Sequence, residues 1–498
     1  MRRLLQRLST PGATVALVAL LLAFGLIGAR AIWDPDEGRY TNVALTMLDT
    51  GNFVDLSRHH ESGHWTKPPL TYWAIAASLA TFGPTPAAAR LTSALAFLAC
   101  TWLAWRIARR LQPGSEATAA LVFATMLLPF GAANLVTTDF LLAACQAVAM
   151  LGWVEARFGE PERRGRWLLL MWMGFAAGFM TKGPPAMLPL LAIAAMQWLA
   201  PAPRARRSRA AWAGVLVFAL LALPWYLVVV LRHEGLLAYF LGTEVVARLA
   251  SDKLHRNPEW YGWLLVYGPT LALGSLPWTG AFWRALRSGV GRLRAWRDAA
   301  VRQHEAPHLL LLAWLGLPLL VFCLARSRLP LYLLPLFVPI ALLVARQRFL
   351  EGRALPRWRW LAVWVGLLLA LRLATALWPS RHDASRWAEE LTSRAQGPVD
   401  EVVFVEDTAR YGLHLHMHTS VEKISVEAKP ESAFGAEYDS DFAGELAERE
   451  RAIWVTKAPL FPELRERARA IGFELQPLGE PYEGRIIFRA RSLDDAGR

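Results

Sequence analysis

The sequence predicts a polytopic α-helical membrane protein that ends in a small soluble α/β domain, and three observations lead there. Of the 498 residues, 54% are hydrophobic and 19% charged, against about 45–50% and about 25% in ordinary soluble domains. The apolar residues are gathered into runs too long for core strands, and the basic residues before position 380 sit in the short gaps between those runs. From Ser380 onward the composition becomes that of a soluble domain. The formal charge of +13 therefore reports membrane topology and not nucleic acid, so lipids are the expected surroundings and no nucleic-acid partner is expected.

A helix needs about 20 apolar residues to cross hydrocarbon. Candidate spans fall at 12–32, 86–105, 117–135, 140–156, 167–181, 184–200, 211–231, 262–282, 308–325, 330–345 and 360–378. This gives about 11 transmembrane helices. The first follows Arg2, Arg3 and Arg7, as a signal peptide would, but its run is long for one and further spans follow, so it reads as a retained anchor. Alternate loops check the count. The N-terminus and loops 106–110, 157–166, 204–209, 284–302 and 346–359 fall on one side, and each is Arg-rich. The other side takes 33–85, the turns at Asp139 and Lys182, loop 232–261, the turn 326–329 and everything after 380. The positive-inside rule places the first set in the cytoplasm and the second outside.

Residues 1–379 thus read as a membrane domain with an outer loop at 33–85, and 380–498 as the soluble α/β domain. Within the latter, 402–405, 452–455 and 485–488 have strand patterning, and 384–394 and 461–471 have helical spacing. Cys100, Cys145 and Cys323 all lie inside apolar runs, so no disulfide framework is legible.

Charges beside a membrane span are costly, which makes each one a functional candidate. The first outer loop opens with Asp34-Pro35-Asp36-Glu37-Gly38-Arg39-Tyr40. As a purely structural feature, Asp34 would be the N-cap of a helix running to about Leu48, with Asp36 and Glu37 complementing its dipole. That does not explain why three acids gather at the mouth of an apolar bundle. Lys67 is one of six lysines in the chain and precedes Pro68, Pro69, Tyr72 and Trp73; an interfacial lysine with an aromatic belt would give the same pattern. Asp139 and Lys182 are lone charges on turns, as caps or snorkelling residues would be, yet both fall on the outer face with the first loop. Glu244 and Arg248 stand at i,i+4 spacing, which suits an ion pair, and Lys253, His255 and Arg256 follow. Tyr332 enters the tenth span after Ser327-Arg328-Leu329-Pro330-Leu331. Cations gathered at one bilayer surface suit a phosphate head group.

These motifs carry a resemblance. Asp36-Glu37-Gly38-Arg39-Tyr40, Lys67-Pro68-Pro69 with Tyr72-Trp73, Thr138-Asp139, Thr181-Lys182-Gly183-Pro184, Pro224-Trp225-Tyr226, Glu244 with Arg248, and the run from Ser327 to Pro335 occur in one order. In that order the chain resembles the bacterial aminoarabinose transferases and the wider protein O-mannosyltransferase superfamily, which are GT-C glycosyltransferases. The resemblance implies a polyprenyl-phosphate-linked sugar, such as an undecaprenyl one, as donor. It also implies a lipid or protein acceptor at the outer face, and a bacterial inner membrane with the active site and the tail on the periplasmic side. The family's essential first-loop Asp matches Asp36, its donor-phosphate Lys matches Lys67 and its second acid matches Asp139. Lys182, Arg248 and Tyr332 fall on the remaining phosphate-side or cavity positions. Glu37, Arg39, Tyr40, Tyr72 and Glu244 are supporting candidates. The aminoarabinose enzymes carry Thr where Gly38 stands, usually Glu where Thr66 stands, and two more spans before the tail; these departures bear on the sugar and the acceptor, not on the donor class.

A sugar on a lipid phosphate already has a good leaving group, so transfer needs a base for the acceptor and cations for the departing phosphate. Asp36 is the expected base, Asp139 the second carboxylate, and Lys67, Lys182 and Arg248 the phosphate ligands, in a single inverting displacement. No cofactor is required by the sequence; a divalent metal is compatible with it, but no ligand spacing demands one. A secondary transporter using Asp36, Asp139 and Lys182 as an ion relay is the alternative. It is opposed by the position of these charges at span ends and by the lack of a visible repeat. A binding or assembly protein would leave the first-loop cluster without a role. The tail is expected to modulate the enzyme and not to catalyse.

Overall fold

The computed structural model describes residues 10–60, 62–201, 209–247, 256–353, 355–395, 397–429, 434, 437–448 and 451–493. It divides into two compact units, one made of the chain up to Ile27 with Arg90–Thr375, the other of Gly28–Ala89 with the chain from Ala376.

The first unit is helical. Among the described residues, six helices are long and apolar enough to cross a membrane: Pro86–Leu111, Asp139–Phe158, Trp212–Arg232, Ala306–Leu324, Pro330–Leu350 and Trp358–Leu377. Shorter apolar helices include Pro11–Phe24, Glu116–Thr125 and Pro184–Leu199, and Arg164–Lys182 adds 19 helical residues. Two expected spans are each broken in two. The stretch 117–135 forms Glu116–Thr125 and Leu127–Ala132, separated at the extended Met126, and 262–282 forms Gly262–Gly274 followed by Thr279–Arg292.

Breaks of this kind free backbone carbonyls that no water can reach in an apolar bundle, so side chains must serve them. Arg372, almost fully buried, donates to Gly25 O at 2.7 Å and Phe130 O at 3.3 Å, and its guanidinium lies 4.4 Å from the Phe130 ring centre. Buried Arg90 donates to Ile27 O, Ser93 to Leu135 O, and Trp364 to Thr125 O. Gln146 donates to Pro185 O at 2.9 Å, holding the turn that follows Lys182.

The second unit centres on a five-stranded sheet of β1 (Glu401–Val405), β2 (Ser420–Ile424), β3 (Ala452–Lys457), β4 (Phe473–Pro477) and β5 (Arg485–Ser492), in the order β2-β1-β3-β5-β4. β1 runs parallel to β2 and β3, while β5 is antiparallel to β3 and β4. Side chains alternate across the strands, so Val402, Phe404, Ile453 and Val455 pack on Trp387 and Leu391 of helix Ala384–Arg394. Val403, Val405, Ile424 and Trp454 pack on the other side against Phe442, Leu446, Phe461 and Leu464.

The outer-loop stretch belongs to this unit and is not irregular: it contains helices Asp36–Thr50 and Leu70–Phe82. The latter has 13 residues, about 20 Å of helix and short of a full span. Asp34 does not cap the first of them. The cap position is Pro35, without a side-chain bond, and the Asp34 carboxylate instead accepts from Gly412 N at 2.9 Å. Residues 32–34 pair with the start of the C-terminal segment through Asp34 N to His382 O and Ala384 N to Ile32 O.

Arg372→Met keeps much of the volume but leaves the Gly25 and Phe130 carbonyls without their donor. Hydrogen bonds from a charged group contribute about 1.5–3 kcal/mol each. A clear fall in melting temperature in detergent is the expected outcome, measured against Arg359→Met, a change at a position with no such bonds among the described residues.

Candidate active site

In the first unit the chemistry gathers where helices begin and end. Helices Asp139–Phe158 and Arg164–Lys182 lie very close together because glycine faces backbone at two levels. A Cβ on Gly152 would stand 2.6 Å from Met171 N, and one on Gly174 would stand 2.6 Å from Ala149 N; small residues permit such approach between helices in a membrane. This contact sets the first residue of one helix beside the last residue of the other. Asp139 and Lys182 form an ion pair there, nearly buried on both sides. Gly183 ends the helix at φ 73°, a backbone region that suits glycine.

Lys182 Nζ also lies 4.8 Å from the ring centre of Tyr332, which is carried by the 3₁₀ turn Pro330–Leu336. Arg256 donates to the Tyr332 hydroxyl at 3.1 Å. Arg328 is consumed structurally: it is buried and donates to Asn257 O and Glu259 O, both at 2.7 Å, and to Cys323 O at 3.1 Å. Glu244 lies in Phe240–Ala247, 3.5 Å from the Tyr239 hydroxyl. Arg248, with Lys253 and His255, lies outside the described residues. Asp139, Lys182 and Tyr332 are thus brought together as a carboxylate, a cation and an aromatic face, with Arg256 as a further cation on Tyr332.

In the second unit the three first-loop acids have three different environments. Glu37 is buried and paired with Arg30 at 2.7 Å, and it accepts from Trp33 N at 3.1 Å, so it holds the loop together. Asp36 keeps 72% of its side chain exposed, with Arg39 3.6 Å away. Asp34 is buried, and burial dominates in pushing its carboxyl up to about 7. Gly38 permits this arrangement, since a Cβ there would lie 1.8 Å from Asp34 Oδ1 and 2.5 Å from Gly412 N.

Tyr40 and Tyr72 have ring centres 5.6 Å apart. The Tyr72 hydroxyl is 2.8 Å from His64 Nε2, and the Thr66 hydroxyl is 3.0 Å from the same nitrogen. Burial, then the charges of Arg39, Arg58 and Lys67, hold His64 well below the usual imidazole range. His64 is therefore a neutral ring in a local positive field. Lys67 donates to Thr66 O at 2.6 Å. Of the candidates here, Asp36, Arg39, Tyr40, Lys67 and Tyr72 share one unit, and sequence reasoning missed His64; its place three residues before Lys67, flanked by Trp65 and Thr66, was the available signal.

Residues 66–227 match the family model described as dolichyl-phosphate-mannose-protein mannosyltransferase. In sequence the chain is similar to the undecaprenyl phosphate-alpha-4-amino-4-deoxy-L-arabinose arabinosyl transferase 2 of Sodalis glossinidius, 32% identical over 385 residues, covering 74% of this chain and 65% of that protein. It is also similar to the corresponding transferase of Pseudomonas paraeruginosa, 34% identical over 340 residues, 65% of this chain and 58% of that one. The match thus spans less than two thirds of the length of these relatives.

In fold the chain is similar to ArnT from Cupriavidus metallidurans bound to undecaprenyl phosphate, with a TM-score of 0.74 at 18% identity, covering 96% of this chain and 97% of that one. A more distant likeness is to the apo oligosaccharyltransferase of Archaeoglobus fulgidus, with a TM-score of 0.54 at 10% identity over 90% and 69%. The fold is of the class these two solved structures share, with six helices among the described residues long and apolar enough to cross a membrane. Within that class the likeness is to the aminoarabinose transferases and the mannosyltransferase family, as the order of the motifs had implied. These likenesses give the secondary-transporter reading no support.

Two outcomes follow from the buried Asp34. Its carboxyl in the folded chain titrates near 7, above the ordinary 3.8, so the folded state holds a proton that the unfolded state releases. The stability this contributes is complete below the ordinary value and is lost as pH rises through the raised one. Asp34→Asn retains an acceptor for Gly412 N and does not titrate. Its melting temperature relative to wild type is expected to rise between about pH 6 and pH 8, whereas a gap constant over that range would show that Asp34 is charged throughout. Gly38→Ala is expected to lower folded yield sharply, overpacking of this kind costing about 1–3 kcal/mol or more.

Proposed function

We propose that the protein is a membrane glycosyltransferase that moves a sugar from a polyprenyl-phosphate donor, such as an undecaprenyl-phosphate sugar, to a hydroxyl or phosphate of a lipid or protein acceptor. The transfer takes place at the periplasmic face of a bacterial inner membrane. The observation that carries this reading is the sequence likeness to the aminoarabinose transferases over 74% of the chain. The positions of Asp36 and Asp139 at helix starts and of Lys182 at a helix end support it.

Asp36 is the base in this reading. Its exposed carboxylate at the start of helix Asp36–Thr50 is accessible to an acceptor, in contrast to the occupied Glu37 and the buried Asp34. It takes the acceptor proton as the acceptor oxygen attacks the anomeric carbon. The bond from that carbon to the phosphate oxygen breaks, and the configuration inverts. Lys67, Lys182 and Arg248 stabilise the charge that grows on the leaving phosphate. Asp139 is the second carboxylate and acts through Lys182: it holds the Lys182 side chain in place at an apolar boundary, and a phosphate of stronger charge competes for the same donor. Tyr332 bounds this ammonium with its ring. Residues 1–379 carry the chemistry and 380–498 supply no reacting group.

Purified variants assayed in detergent with a polyprenyl-phosphate sugar test these roles. Asp36→Asn is expected to fold, melt within about 1 kcal/mol of wild type and lose about a hundredfold to ten-thousandfold in turnover. Lys67→Ala and Lys182→Ala should raise the donor KM more than they lower kcat. Near-normal turnover by Asp36→Asn would remove it as the base. The orientation has its own check: alkaline phosphatase fused after Arg498 should be active and a fusion at Arg207 silent.

A further inference from the structure

Away from these residues, the second unit buries three carboxylates together. Glu401, Glu422 and Glu445 are each almost inaccessible, and one ligand atom from each lies within 4.8 Å of the others. The fold delivers them from three elements. Glu401 shares the face of β1 that carries Val403 and Val405. The parallel register sets Glu422 of β2 opposite Val403, so both side chains point to that same face. Helix Phe442–Glu448 covers it with Phe442 and Leu446 and turns Glu445 inward between them.

The cluster is bonded from outside through Glu401. His59 Nε2 is 2.7 Å from Glu401 Oε1, and the Ser420 hydroxyl donates to that same oxygen at 2.9 Å. Nearby cations are engaged elsewhere, Arg58 with Asp439 and Lys423 with Glu437, each at 2.6 Å. Glu422 is wholly buried, and neither of its carboxylate oxygens has a hydrogen-bond partner outside the cluster; its neighbours there are two more carboxyls, with Glu445 close enough to share a hydrogen bond. Bare carboxylates at this spacing repel, and protons would satisfy them only in part; a cation shared among three oxygens satisfies all of them at once.

We propose that Glu401, Glu422 and Glu445 hold a divalent cation inside the second unit, with His59 orienting Glu401 from outside the ligand set. An all-carboxylate set suits a hard ion of the Mg²⁺, Ca²⁺ and Mn²⁺ class. A histidine bound to a ligating carboxylate is the kind of outer partner that fixes ligand geometry. The ion ties His59 of the 28–89 segment, through Glu401, to two strands and a helix of the C-terminal segment. Its role is structural, and it stands independently of the transferase reading.

The test uses the full chain in detergent, stripped with EDTA and titrated with Mn²⁺ and, separately, Ca²⁺, followed by electron paramagnetic resonance of free Mn²⁺ and by thermal unfolding. Wild type is expected to bind about one Mn²⁺ per chain and to melt at a higher temperature with either ion. Glu422→Gln and Glu445→Gln should lose both effects while melting no lower than stripped wild type, because each keeps the size of the side chain without demanding a counter-charge. His59→Ala should weaken Mn²⁺ binding by about 10–100-fold, which keeps the assignment testable if a glutamine variant fails to fold. Stripped wild type that neither binds Mn²⁺ nor gains stability from either ion would overturn the proposal. So would Glu422→Gln binding Mn²⁺ as wild type does; in either case protons alone neutralise the cluster.

Discussion

A helix that stops inside an apolar bundle leaves carbonyls facing no solvent, and the first unit is organised around answering them. Its answers are long polar side chains sent from neighbouring helices: Arg372 to the end of the first helix and to Phe130, Gln146 to the Pro185 turn, Arg328 to the turn at 257–259. Each bond is expensive to leave unmade in low dielectric. Each therefore fixes where the break occurs. The same breaks present helix starts and ends, which is where Asp139, Lys182 and Tyr332 stand. The candidate chemistry is thus located by the need to satisfy backbone, and the glycines at 152 and 174 bring two of those ends within reach of each other.

The second unit solves a related problem with acids. Glu37 is matched by Arg30 in the interior, Asp34 by a backbone amide, and Asp36 stands exposed with Arg39 at 3.6 Å. Three acids within four residues therefore have three different environments. Only Asp36 has its carboxyl open to solvent and clear of a buried partner, a distinction that sequence position does not make.

Hydropathy and alternation are local properties, so they were legible without coordinates. The runs at 86–105, 140–156, 308–325 and 360–378 became helices, and the strand centres at 402–405, 452–455 and 485–488 lie within β1, β3 and β5. Breaks were less legible because proline alone does not decide them. Pro224, Pro269 and Pro318 sit inside continuous helices, whereas the turn before Thr279 follows Pro277. The pairing of Asp139 with Lys182 needs two glycines to face backbone, which spacing does not announce. The role of Asp34 was hidden further, in a partner at Gly412, far along the chain. Glu422 was invisible for a different reason: Ser420-Val421-Glu422-Lys423-Ile424 reads as an alternating surface strand, and only the helix laid over it makes the acid an interior residue.

The second unit is assembled from the beginning and the end of the chain, with residues 90–375 made in between. At ribosomal speeds of about 5–20 residues per second, that interval occupies on the order of 15–60 s. Throughout it the 28–89 segment exists without Gly412, His382 or Glu401, its later partners. Buried polar groups such as Asp34 and His59 must spend that time hydrated, and the loop bearing Asp36 cannot reach its final form until the chain has been made past Gly412. A nascent chain of this kind completes its second unit only after residues 90–375 have been made, which defers any activity that depends on that unit until then.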